Sequence, residues 1–250
     1  MSDNRGRRPP LGAWLRAAIG WLREREPVVL LSLLVVIAAT WGFLELADEV
    51  LEGDTDAFDK WLVRAMRRDD DPAVPIGPPW MRELARDVTA LGSIAGLIFF
   101  TSVVAGYLWL ARKRHMACFL MAASTSGLLA MLALKRLFGR ARPDVVPHLE
   151  QVFTSSFPSG HSMFSAVVYL TLGVLLAAVL TKTRLKLYVM AVAVLLTLSV
   201  GVSRVYLGVH YPTDVLAGWM AGLIWALVCW LIAHWLQRRG WIDMQMRSRT

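Results

Sequence analysis

Charge and cysteine are both scarce in this chain. Of 250 residues only 18% are Asp, Glu, Lys or Arg, whereas 56% are hydrophobic and eleven are Trp. So little charge beside so many large apolar side chains excludes a disordered chain. Two cysteines, Cys118 and Cys229, are too few for a disulfide-stapled secreted module. Each lies inside an apolar run, and neither is expected to be bonded. The same ratio is too apolar for an ordinary soluble domain of this length and points to a membrane.

Six long apolar runs follow one another, Val28 to Leu44, Val88 to Ala111, Met116 to Leu134, Ser162 to Leu180, Leu187 to Leu207 and Val215 to Trp235. Each is close to the length of about 20 residues that crosses about 30 Å of hydrocarbon as a helix. The expected fold is therefore all-α, a polytopic membrane protein with six transmembrane helices plus amphipathic interfacial helices. The first run does not read as a signal peptide. Charged residues and Pro27 precede it, no small-residue cleavage pattern follows, and its far end runs into Glu45-Leu46-Ala47-Asp48, so it is expected to be a retained span.

The net charge of +8 could indicate a nucleic-acid partner, but the placement of the charges has another explanation. Sixteen of the 27 basic residues and four of the 19 acidic ones fall on the side of the N-terminus, leaving the opposite side net negative. Cytoplasmic segments carry the Lys and Arg excess, so both termini are expected in the cytoplasm and no nucleic-acid partner is needed. Residues 1–27 form a cytoplasmic N-terminal segment in this reading, 28–236 the six-span domain, and 237–250 a cytoplasmic tail. Leu11 to Arg25, with Trp14, Leu15, Ile19, Trp21 and Leu22 among arginines, reads as an amphipathic headgroup-level helix. Within the domain lie an outer loop, 45–87, and a core, 87–235. Thr55 to Arg68 in that loop has Phe58, Trp61, Leu62, Ala65 and Met66 at helical spacing and is expected to lie along the outer surface. Asp69-Asp70-Asp71-Pro72 reads as a solvated turn rather than a metal site.

Three stretches hold polar residues that the bilayer does not require. Lys135-x6-Arg142-Pro143 ends the third run, Pro158-Ser159-Gly160-His161 begins the fourth, and Ser203-Arg204-x5-His210-x3-Asp214 bridges the fifth and sixth. All three lie on the outer face that span count and charge bias define independently. Cations near membrane depth are costly unless they meet a cavity or a partner, which makes Lys135 and Arg204 functional candidates; snorkelling is the alternative for Lys135. Arg136 and Arg140 read as ordinary interface charges. Lys135, Arg142 and Arg204 together would suit a multiply charged anion such as phosphate. Ser159 and Gly160 precede a helix start whose N–H groups could face that anion, although a plain N-cap is the alternative for Ser159. His210, with Asp214 four residues on to orient its ring, fits a nucleophile, and His161 a general acid. His115 and His234 fall on the cytoplasmic side and His148 in a solvated loop. Two histidines and one aspartate could bind a metal, but three cations would repel a divalent ion, so no metal is expected.

These three motifs, in this order and spacing, resemble the signature of the type 2 phosphatidic acid phosphatase superfamily, in particular its six-span bacterial membrane branch. The resemblance covers roughly Asp87 to Trp235 and takes in the stretch Asp87-Val88-Thr89-Ala90-Leu91-Gly92. It implies a metal-independent lipid phosphatase with no cofactor, working through a phosphohistidine. By this resemblance His210 attacks, Asp214 orients it and His161 protonates the leaving group. Lys135, Arg142, Ser159, Gly160 and Arg204 hold the phosphate. The implied location is a bacterial inner membrane with the site facing outward. Undecaprenyl pyrophosphate, phosphatidylglycerol phosphate and phosphatidic acid all fit as substrates, with outward topology favouring the first. Family members that transfer the phosphoryl group to another lipid, vanadium haloperoxidases and, outside the family, an anion or lipid transporter are the alternatives. Oligomeric state is left open, with Gly218-x3-Gly222 able to pack within or between chains.

Overall fold

The computed structural model describes residues 27–150 and 154–239. The Leu11 to Arg25 segment and most of the C-terminal tail lie outside the described residues. Eight helices are present among those described: α1 (Pro27–Glu52), α2 (Asp56–Ala65), α3 (Pro79–Ala90), α4 (Ile94–Leu110), α5 (Arg114–Leu137), α6 (Gly160–Val179), α7 (Thr183–Tyr206) and α8 (Pro212–Arg238). Five of them, α1, α5, α6, α7 and α8, are long and apolar enough to cross a membrane, and α3 with α4 adds a sixth as a bent pair.

That bend corrects the continuous second span expected from Val88 to Ala111. The chain turns by 51° between α3 and α4. Ser93 takes an extended conformation and its hydroxyl caps the new helix by accepting from the Gly96 N–H. A Cβ on Gly92 would collide with Val200 Cγ1, so glycine here lets the break press against α7. The Tyr169 hydroxyl of α6 donates to the Leu91 carbonyl at 2.7 Å, satisfying a backbone acceptor released at the break.

Helix α6 is the hub, packed against α4, α5, α7 and α8. Its buried residues include Ser162, Ser165, Ala166 and Gly173, small side chains that allow close approach from several sides. Around the perimeter the pattern reverses, and Leu31, Leu34, Ile37 and Trp41 on α1 and Phe99 and Leu110 on α4 are exposed. Among six spans with no water at mid-depth, such a surface faces lipid.

The Gly218-x3-Gly222 motif packs inside the chain. A Cβ on Gly218 would fall 2.7 Å from the Ser159 carbonyl oxygen, and one on Gly222 would fall 2.6 Å from that of Met163. Helix α8 therefore approaches the α6 backbone directly, drawing the start of one helix to the start of the other. Gly222→Ala is expected to lower stability in detergent by about 1–3 kcal/mol, the usual cost of overpacking. Gly106→Ala, where an added Cβ meets nothing within 4 Å, is expected to leave the thermal midpoint unchanged or slightly raised. Equal midpoints for Gly222→Ala and wild type would remove the close contact from the account.

Candidate functional site

The end of α5, the starts of α6 and α8 and the end of α7 converge at one end of the bundle, and α2 and α3 pack over the same end against α8 and α7. Helix α7 stops at Gly208, whose φ of +73° reverses the chain; a side chain there would also collide with Arg67. The turn delivers His210 to the bundle end, and Pro212 opens α8 two residues later.

His210 is 1% exposed and Asp214 fully buried. The ring nitrogen Nδ1 stands 3.5 Å from Asp214 Oδ2, and Nε2 stands 3.1 Å from Arg142 Nη1. A guanidinium has donors only, so the contact to Arg142 requires a lone pair on Nε2 and leaves the proton on Nδ1, facing the carboxylate. Burial pushes the imidazole down to about 3, with the Asp214 carboxylate pulling partly the other way, and His210 is neutral around pH 7.

Asp214 is also the capping residue of its own helix, accepting from the Tyr211 N–H at 2.8 Å. The Ser156 hydroxyl donates to the same oxygen, Oδ2, at 2.5 Å, and stands 3.4 Å from His210 Nδ1. Its other oxygen, Oδ1, accepts from Arg140 Nη1 at 2.8 Å. Arg140 corrects the expectation of an ordinary interface charge. Its side chain is only 10% exposed, and it joins Asp214 to a second buried carboxylate, Asp59, through Nη2 at 2.8 Å. Arg136, by contrast, is exposed. Despite burial, the two carboxylates hold the Arg140 guanidinium above its ordinary pKa.

Asp59 belongs to α2, the helix expected along the outer surface, and faces inward from it. Phe58 and Trp61 of the anticipated apolar stripe are exposed, while Asp59 and Val63 are completely buried. Thr213 explains how an aspartate can face inward. Its N–H donates to Asp59 Oδ1 at 3.2 Å and its hydroxyl to Oδ2 at 2.6 Å, so α2 docks on the start of α8.

The three cations of the motifs come together beside His210. Arg142 donates through Nε to the Thr154 carbonyl at 2.7 Å and through Nη1 to that of Val209 at 2.7 Å. Burial and the neighbouring Arg204 charge bring it down to about 10, where it is still a cation at neutral pH. Lys135 donates to the Ser155 carbonyl at 2.7 Å, and its Cε lies 2.9 Å from where a Gly160 Cβ would stand. Arg204, 1% exposed, bonds Thr89 at 3.0 Å and pairs with Glu150, while its Nε has no partner among the described residues. His161, in the first turn of α6, lies within electrostatic reach of Arg204, His210, Lys135 and Arg142.

Ser159 is the N-cap of α6. Its hydroxyl oxygen accepts from the Ser162 N–H and hydroxyl, and its own N–H donates to the Asp214 carbonyl at 2.9 Å. The hydroxyl proton is the donor it retains, alongside the first-turn N–H groups of Gly160 and His161. His148 is exposed, and the acidic triplet forms a turn in which Arg68 pairs with Asp70. Ser203, next to Arg204, lines an apolar groove of about 400 Å³ between α3 and α7 with Trp80, Leu84, Val88 and Val202.

Arg140, Asp59, Ser156, Thr213, Thr89 and Glu150 were not legible as site residues from sequence. Asp59 carried a faint signal, being one helical turn from Val63 on the same face.

A polytopic helical membrane protein that holds an imidazole and carboxylate against fixed cations is the class that this fold and site define. The chain belongs to the PAP2 superfamily, whose family model matches residues 114–238. It is 36% identical over 157 residues to phosphatidylglycerophosphatase B of Bacillus subtilis, covering 61% of this chain and 75% of that protein. It is 30% identical over 167 residues to a putative undecaprenyl-diphosphatase, YbjG, of Escherichia coli, covering 64% and 77%. The crystal structure of a transmembrane PAP2 type phosphatidylglycerolphosphate phosphatase from Bacillus subtilis superposes with a TM-score of 0.74 at 28% identity, over 81% of this chain and 98% of that one. The protein is a multi-pass membrane lipid phosphatase.

An anion that takes up Arg204 Nη1 competes with Glu150, whose side chain is 35% exposed. Glu150→Gln is therefore expected to tighten competitive inhibition by orthovanadate about fivefold, matching about 1 kcal/mol for a partly exposed ion pair. An unchanged inhibition constant would mean that Glu150 and the anion do not compete.

Proposed function

We propose that this phosphatase removes the terminal phosphate of a membrane lipid at the outer face of the membrane, without a metal, through a phosphohistidine on His210. The observation that carries this reading is the two-sided hold on the His210 ring. Nδ1 faces the Asp214 carboxylate and Nε2 faces Arg142 in the cation cluster. A neutral imidazole so held presents its lone pair where a phosphate would sit.

Lys135, Arg142 and Arg204 bind the phosphate oxygens, with Ser159 and the Gly160 N–H as further donors. His210 Nε2 attacks phosphorus, the bond to the lipid oxygen breaks, and His161 supplies the proton that oxygen needs. The ring becomes a phosphoimidazolium that keeps its Nδ1 proton, and Asp214 stabilises that charge and fixes the ring plane. Water then attacks phosphorus, with His161 accepting its proton. The cations discourage a divalent ion and favour phosphate. The groove between α3 and α7 offers an apolar path for the lipid chain beside Ser203.

Phosphatidylglycerol phosphate and undecaprenyl pyrophosphate are the substrates best supported, each matching the activity in the name of a relative, with phosphatidic acid a third. The excess of basic residues on the side of the N-terminus supports cytoplasmic termini and an outward site.

The test is phosphate release across these three lipids in detergent. Activity is expected to survive EDTA, and loss with rescue by one divalent metal would overturn the reading. His210→Ala should abolish both turnover and covalent labelling from a phosphate-labelled lipid. His161→Ala should cost about 10²–10⁴-fold with a lipid leaving group and far less with an aryl phosphate. Labelling that persists in His210→Ala but vanishes in His161→Ala would exchange the two roles.

Orientation has a separate test. With Cys118 and Cys229 replaced by serine, Asp144→Cys should react with an impermeant thiol reagent outside intact cells and Arg184→Cys should not. The opposite pattern would invert the topology.

A further inference from the structure

The geometry assigns Asp59 a part in the reaction: we infer that it is a positioning residue that, through Arg140, preserves the negative charge which Asp214 presents to His210. This rests on the reading of His210 as nucleophile. Asp59 comes from α2, outside the three motifs, and touches neither the imidazole nor the cations of the phosphate cluster.

Arg140 is the reason a second carboxylate is required. Alone with Asp214, a guanidinium 2.8 Å from Oδ1 would cancel the charge that the imidazolium needs. Asp59 takes up the other end of the same guanidinium at 2.8 Å and is itself fixed by two contacts from Thr213, the residue before Asp214. Arg140 also lies 4.5 Å over the Tyr211 ring, which holds its plane between the two acids. Asp59 and Asp214 are both fully buried, so their charges are weakly screened.

The charges balance at the step where balance matters. At rest the two buried carboxylates and one guanidinium carry one net negative charge beside a neutral ring; Asp56, 3.5 Å from the same guanidinium, is 47% exposed and its charge is met by Lys60 at 2.8 Å. When Nε2 bonds to phosphorus and the lipid oxygen leaves, the ring gains one positive charge and the buried group becomes neutral. With Asp59 neutralised, the same step would leave one positive charge uncompensated among fully buried groups, beside three further cations.

The expected behaviour of Asp59→Asn, assayed in the full chain with labelled phosphatidic acid micelles, is a fall of about 10–100-fold in kcat and in the rate of phosphoenzyme formation. KM should stay within about twofold, since Lys135, Arg142 and Arg204 are untouched. The decisive comparison is the double variant Asp59→Asn with Arg140→Gln, which restores one net negative charge and should recover at least part of the lost rate. A purely anchoring Asp59 predicts the reverse, a double variant slower than the single one. The inference is overturned by that result, or by a kcat per mole of folded Asp59→Asn equal to wild type even if its thermal midpoint falls. Should Asp59→Asn not fold, the double variant alone decides: activity within about tenfold of wild type supports the inference, and activity as low as His210→Ala overturns it. His210→Ala in the same assay separates the two levels. If it still forms phosphoenzyme, the nucleophile assignment fails; if it does not and Asp59→Asn is unaffected, only the charge-balance assignment fails.

Discussion

A carboxylate sealed from water must be met by donors on every side, and Asp214 imposes that demand on this fold. Its partners come from three separate pieces of chain: Arg140 after α5, Ser156 before α6, and the turn after α7 that carries His210 and Tyr211. Removing any one of them would leave part of a buried charge unpaired, which costs far more than an exposed contact contributes. The segment after α5, the connection before α6 and the turn out of α7 are thus held in place by one side chain.

The cation cluster shows the opposite economy. Lys135, Arg142 and Arg204 repel one another, and their nearest partners are mostly backbone carbonyls and hydroxyls from the 154–155 segment, Val209 and Thr89. Glu150 is the acid that pairs with Arg204. Neutral acceptors orient a cation without cancelling it, and the assembled charge is therefore available to a phosphate. Asp214 lies against His210 Nδ1 and Arg142 against Nε2, so the ring stands between a carboxylate and the cation cluster.

Such a position needs rigid supports. Helix α6 provides the main one, because its small residues let α8 approach to backbone contact at Gly218 and Gly222. The starts of α6 and α8 are thereby fixed against each other, and the Ser159 N–H to Asp214 carbonyl bond links them at the site itself. The bend between α3 and α4 brings Thr89 to Arg204 at the same end.

Apolar run length was enough to indicate a six-span helical membrane protein, and the spacing of three motifs to indicate candidate residues that the structure brings to one end of the bundle. Both signals are local: hydrocarbon thickness sets the length of a span, and a helix start or turn sets which neighbours a motif residue can reach. Arg140 carried no such signal, and Asp59 only the faint one of its spacing from Val63. In the sequence Arg140 is indistinguishable from the exposed Arg136 four residues earlier, and Asp59 sits in a helix whose apolar stripe of Phe58 and Trp61 pointed to a different buried face. What buries Asp59 is Thr213 and Arg140, respectively 154 and 81 residues away along the chain. Burial of a charge is decided by whether partners arrive in space to satisfy it, and that was settled only when the helices packed.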